Sequence, residues 1–224
     1  MRMTKHEMKE NELVEYFYII RDFFKKNWEK ISVSLLIVGV LIFVAVIAAL
    51  TTNKMNNSAA AEFSQGLYYY QNTQADAPDR YAQAKAIFKG IIDKYPRSSS
   101  KSEAEFYLAS SHFGLGEYDD ATKIFEKTSK IFGGKQLGMY SLQGLGKCYE
   151  SKGNLEEALK FYQEAIKKYP KNFYVGNLML DVGRCQNKLG KTSEAVQTYE
   201  KILSAYPETT WARESKLRLN LLKG

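Results

Sequence analysis

Three residue markers recur along the second two-thirds of the chain at one fixed spacing, and that periodicity restricts the fold more than any other feature. Ala84, Ala121, Ala158 and Ala195 follow one another at intervals of 37 residues. Four positions after each alanine stands an aromatic, Phe88, Phe125, Tyr162 or Tyr199, and twelve positions after it stands Pro96, Gly133, Pro170 or Pro207. Residues four apart share one face of a helix, and proline closes a helix because it has no N–H to donate. Repetition on this scale marks an array of like units, each burying its apolar face against the next. The spacing predicts an all-α array of four helical hairpins, at about 59–98, 99–135, 136–172 and 173–209. Gly116, Gly153 and Gly190 fall in the turns inside hairpins, where a positive φ costs glycine little. Gly146 and Gly183, with Ala109, stand where the two helices of a hairpin must approach closely.

The first and last units are irregular. The first helix of the array, AAAEFSQGLYYYQN, is followed by a stretch from Asn72 to Arg80 that reads as a longer loop. After the fourth hairpin, TTWARESKLRLNLLKG predicts a capping helix at 210–222, with Thr209 or Thr210 as N-cap. Leu219 takes a core slot in that helix, and Trp211 reads as a packing residue that closes the stack.

The unit LQGLGKCYESKGNLEEALKFYQEAIKKYP closely resembles the tetratricopeptide repeat, through Leu142, Leu145-Gly146, Tyr149, Ala158, Tyr162, Ala165 and Pro170. The resemblance implies a right-handed solenoid whose first helices form a concave groove for proteins or peptides. Carried over slot by slot, the groove comprises Phe63, Leu67 and Tyr70 from the first unit, and Phe106, Ser110 and Phe113 from the second. The third supplies Tyr140, Gln143 and Lys147; the fourth supplies Leu180, Arg184 and Asn187. Its near end would be aromatic and its far end basic, with Lys147 and Arg184 available to meet a carboxylate. The period of 37 rather than 34 implies first helices longer by nearly a turn.

Ahead of the array, Ile31 to Leu50 form twenty residues without a charge, enough for a helix to cross the roughly 30 Å of a bilayer's hydrocarbon core. Residues 1–30 precede this span, which argues against a cleaved signal peptide, although Ser58-Ala59-Ala60-Ala61 is a small-residue stretch of the kind peptidases cut. Residues 51–58 read as a short linker. Arg21, Lys25, Lys26 and Lys30 flank the span on one side, whereas Lys54 is the only basic residue on the other before Arg80. The positive-inside rule then predicts a cytoplasmic N-terminus and extracytoplasmic repeats. Trp28 sits at headgroup depth. Leu13, Phe17, Ile20, Phe24 and Trp28 recur at helical spacing, which predicts an apolar face that rests on lipid or meets a membrane partner.

Composition removes other classes. The net charge of +7 mixes 32 basic with 25 acidic residues and forms no basic stripe, so nucleic acid is not expected as a partner. Cys148, Cys185, His6 and His112 show no metal-ligand spacing, and GLG at 144–146 lies within a helix rather than in a phosphate loop. No cofactor, small-molecule substrate or enzymatic activity is predicted. The two cysteines occupy one slot in successive units. Equivalent points on stacked hairpins are roughly 8–10 Å apart, beyond the reach of a disulfide, so both thiols are expected to be free and buried.

Taken as a whole, the layout resembles the bacterial ancillary subunit of the Sec translocon, with its basic, aromatic N-terminal stretch, single span and periplasmic repeats. That resemblance implies an inner-membrane, chaperone-like adaptor for exported proteins, in lateral contact with translocon subunits. The repeat spacing is also similar to that of the Tol–Pal-associated periplasmic protein and the outer-membrane assembly lipoproteins, which lack this anchor. The alternative is a scaffold that holds one folded partner of an envelope complex.

Overall fold

The computed structural model describes the backbone of residues 5–223 and the side chains of residues 14–222. Among the described residues there are nine helices and no strand. They are α1 (Lys5–Gln71), α2 (Ala77–Lys94), α3 (Lys101–Gly114), α4 (Tyr118–Ile131), α5 (Gln136–Ser151), α6 (Leu155–Lys168), α7 (Val175–Lys188), α8 (Thr192–Ala205) and α9 (Thr210–Lys223). The chain divides into two compact units, Met1–Lys54 and Met55–Gly224.

In the first unit, the uncharged run lies within α1 and buries no side chain against protein. Such a surface is what an apolar solvent requires and what water penalises. The apolar surface preceding it is wider than the expected single face. Tyr16, Phe17, Tyr18, Ile19 and Ile20 are consecutive and all exposed, so they encircle the helix, and Phe23 joins Phe24 and Trp28. Leu13 and His6 lie outside the described side chains. Residues 51–58, read as a linker, are helical. Ser58-Ala59-Ala60-Ala61 is helical too, with Ala59 fully buried, which is unlike the exposed loop tips where proteolysis concentrates.

The second unit is a stack of hairpins. The end of α1 pairs with α2 around Ala59, Ala84, Phe88 and Ile91, and partly buried Phe63 and Leu67 pack on that core. Hairpins α3–α4, α5–α6 and α7–α8 follow, and α9 covers the last of them. The four periodic alanines are fully buried, and each admits the helix that crosses it. The two helices of a hairpin approach closely at Gly146 and Gly183. A Cβ at Gly146 would stand 2.4 Å from a ring carbon of Tyr162, and one at Gly183 would stand 2.6 Å from Tyr199. Burying each large side chain of this layer is worth about 1.5–3 kcal/mol. Gly153 turns α5 into α6 with φ of 81°, and Gly116 and Gly190 do the same in their hairpins.

Between hairpins, Tyr95, Tyr169 and Tyr206 cap their helices by donating N–H to Ile91, Ala165 and Ile202, and a proline follows each. The second hairpin has no proline there and leaves through Gly134, with φ of 83°. Thr209 is the cap of α9, its Oγ1 accepting the N–H of Ala212 at 3.3 Å.

Two expectations need correcting. The loop expected from Asn72 to Arg80 spans only 72–76, because Ala77-Pro78 opens α2. Proline is tolerated in a first helical turn, whose N–H groups have no intrahelical acceptor. The lengthening of first helices occurs only in α5, with 16 residues; α3 and α7 have 14, like α4, α6 and α8. In those two hairpins the extra residues lie in the preceding turns, 95–100 and 169–174. Cys148 and Cys185 are free and buried, and burial pushes their thiols up to about 11 and about 12.

Candidate functional site

First helices of three successive hairpins line a cavity of about 330 Å³. Tyr70 comes from α1; Phe106, Ser110 and Phe113 from α3; Tyr140, Gln143, Gly144 and Lys147 from α5. Seven of the twelve residues assigned to the groove by slot therefore meet in one place. Sequence reasoning missed Tyr81 of α2 and Phe125 of α4, which complete the lining. Both belong to second helices, and both show because a glycine faces them. A Cβ at Gly114 would stand 2.4 Å from Tyr81, and one at Gly144 would stand 2.6 Å from Phe125.

The floor is an aromatic lattice. Phe106 and Phe125 have centroids 5.8 Å apart, and Tyr70 stands 5.5 Å from Tyr81 and 5.4 Å from Tyr107, spacings at which offset and edge-on rings attract. Its polar groups are largely satisfied within the chain. Ser110 donates to the carbonyl of Phe106, Tyr140 accepts from Gln136, and buried Gln143 donates to Asp181 at 2.7 Å. Burial, chiefly, raises the phenols of Tyr70 and Tyr140 above their ordinary value, so both stay neutral. Lys147 supplies the formal charge of the lining; it is exposed and has no ion-pair partner among the described residues. The result is an aromatic-walled recess, lined about equally by polar and apolar surface, with the Lys147 cation at its edge.

The remaining assigned residues lie elsewhere. Phe63 and Leu67 belong to the core of the first hairpin, Phe63 lying 5.6 Å from both Phe88 and Tyr107. Asn187 is exposed on α7. Leu180 and Arg184 line a separate recess of about 70 Å³ with Asp181, Tyr199 and Glu214. Arg184 grips Glu150 through Nε and Nη2, both at 2.9 Å, and reaches Asp181 at 2.6 Å. Lys188 and Tyr162 also donate to Glu150. Burial alone would raise the Glu150 carboxyl, but hydrogen bonds from Arg184 and Lys188 outweigh it and hold the group down at about 2. Those carboxylates in turn raise Arg184. The expected pairing of Lys147 with Arg184 around an external carboxylate is not assembled, because Arg184 already has two carboxylates of its own.

His112 is half-buried, and its Nδ1 meets Glu117, which also accepts from Lys85 across the first two hairpins. The Lys85 hydrogen bond is the main influence holding Glu117 below the usual carboxylate range.

Comparison with known proteins agrees with the fold. Two tetratricopeptide-repeat family models match the chain, one over residues 102–171 and the other over residues 60–98 and 178–209. A TPR repeat-containing protein of Methanocaldococcus jannaschii is 32% identical over 92 residues. That alignment covers 40% of this chain and only 28% of the relative's own length. Among solved structures, the nearly identical TPR-like repeats of a Podosopora anserina putative kinesin light chain superpose with a TM-score of 0.61 at 14% identity, covering 75% of this chain and 86% of that one. A thermophilic TPR protein of Thermus thermophilus gives 0.56 at 21% identity, covering 74% and 83%.

Proposed function

Starting from the premise that this chain is a tetratricopeptide-repeat protein, we propose that it is a membrane-anchored adaptor whose repeats face away from the cytoplasm and receive exported polypeptides beside the Sec translocon. Tetratricopeptide repeats are protein-interaction scaffolds, and this level of the assignment follows from the family and the fold. The finer reading rests on one observation above all. Seven groove slots converge on an aromatic-walled recess large enough for a side chain and its flanking backbone.

Three further features support it. The uncharged run in α1 buries nothing against protein. The basic residues beside that run favour a cytoplasmic N-terminus in a bacterial inner membrane. The layout resembles the ancillary translocon subunit. A recess that offers aromatic surface and one charge suits weak and broad capture of unfolded segments.

The test is a photo-crosslinking residue at Tyr140, and separately at Phe17, in intact bacterial membranes. The adaptor reading expects a spread of exported proteins from Tyr140 and channel subunits from Phe17. One discrete envelope protein at Tyr140, with no channel adduct, would replace it with a scaffold for a folded partner. Cytoplasmic proteins at Tyr140 would invert the topology.

A further inference from the structure

The aromatic surface does not stop at the edge of the cavity. Tyr140, which lines it, packs edge-on against Tyr174 at 5.4 Å, in the turn that leads into α7. Tyr174 lies 6.1 Å from Trp211 of α9, and Phe173 lies 4.8 Å from the same indole. Trp211 is a fixed platform: a Cβ at Gly176 beneath it would stand 2.3 Å from its ring. Phe173 is the opposite, with 71% of its surface exposed, and Tyr174 is 41% exposed. Phe173 is thus held on Trp211 by one edge only and leaves most of its ring open to water, where burying it would be favourable.

The geometry points to one continuous site, cavity plus turn, for an extended polypeptide segment with two large apolar side chains about three residues apart and a carboxylate beside the first. This rests on the groove reading above and adds a second anchor outside the groove. The first side chain enters the cavity, and its neighbouring carboxylate meets Lys147, the unpaired cation of that lining. The second lies against Phe173 on the Trp211 platform. The ring-to-ring steps of 5.4 and 6.1 Å separate the two anchors, a distance that a chain in the extended polyproline II conformation crosses in roughly three residues while returning its side chain to the same face. An acidic flank is selected by the sign of that charge, and a basic one is disfavoured.

The test uses the full-length chain in lipid nanodiscs with Trp28→Phe, which leaves Trp211 as the sole indole. The probe is a short Gly/Ser peptide with phenylalanines at positions i and i+3 and an aspartate next to the first. Binding is followed by anisotropy of a labelled form and by Trp211 emission with the unlabelled one. Lys147→Glu and Phe173→Ser should each weaken binding by roughly tenfold, the loss typical of one good anchor. Removing the second phenylalanine should weaken binding to the parent chain but not to Phe173→Ser, and Trp211 emission should shift on saturation. Both substitutions are at exposed positions, so the fold is retained. A peptide that binds through Lys147, ignores Phe173→Ser and leaves Trp211 silent would overturn the second anchor while the groove reading stands. No binding to any form would remove both. A peptide-free dimer that Phe173→Ser dissociates would reassign the turn to contact between two copies of this chain.

Discussion

The two halves of the repeat array share one register and are held together differently. Between the first and second hairpins the contact is made largely by rings: Phe63, Phe88, Tyr70 and Tyr107 lie within 5.4–5.6 Å of one another in successive pairs. Between the third and fourth, Leu178, Val182 and Cys185 pack on the third hairpin's core and an ionic cluster joins them, with Glu150 on α5 held by Arg184 and Lys188 on α7, and Gln143 bonded to Asp181. Rings fill space without saturating it, and the aromatic half keeps an open recess. Charges saturate one another, and the ionic half closes its groove with its own side chains. The same slot in successive repeats therefore lines an open recess in one place, at Lys147, and binds a neighbouring repeat in another, at Arg184.

That contrast is breakable. The largest effect is expected from Arg184→Ala, which removes the cation that Glu150 and Asp181 share and leaves Lys188 alone on Glu150. Losing one member of such a pair costs about 3–5 kcal/mol, which urea unfolding should register as a lower midpoint with destabilised α5–α8. Acid comes next. Glu150 sits below its ordinary value of 4.5, at about 2. Its depressed folded-state value means that its contribution is complete above pH 4.5 and is lost as the pH falls toward 2, an effect of up to about 3 kcal/mol. Glu150→Gln should flatten that acid limb in a pH series of melting curves. Gly146→Ala forces a methyl into the Tyr162 ring and should cost about 2 kcal/mol, measured against Gly90→Ala in α2, where a methyl meets open space. The smallest effect on stability belongs to Lys147→Glu, within about 0.5 kcal/mol, although it should impair binding of acidic segments. A Lys147→Glu chain that unfolds early, or an Arg184→Ala chain of unchanged stability, would erase the division.

Much of this was legible in the residues themselves. The Ala–aromatic pairs, the turn glycines, the free thiols and the Thr209 cap each express a local rule that no tertiary contact overrides. Seven groove positions could be placed because slot spacing carries the direction a side chain faces on its helix. Arg184 shows where this ends. Its slot gives the direction, but the carboxylate that occupies it lies 34 residues earlier, on another hairpin. Tyr81 and Phe125 were missed for a related reason: they reach the cavity only because Gly114 and Gly144 leave room, and a missing side chain has no periodic signature. The helix through 51–58 and the early start of α2 at Ala77-Pro78 were hidden because Ser, Asn and Pro, read one at a time, suggest loops.

The central claim is that the aromatic half receives unfolded segments. It is tested most directly by hydrogen exchange with mass spectrometry on the full-length chain in nanodiscs, with and without a reduced, carboxymethylated protein that cannot fold. The account predicts slowed exchange over 101–114 and 136–151, in α3 and α5, with 192–205 in α8 unchanged. Protection confined to α7 and α8, or absent throughout, would contradict it.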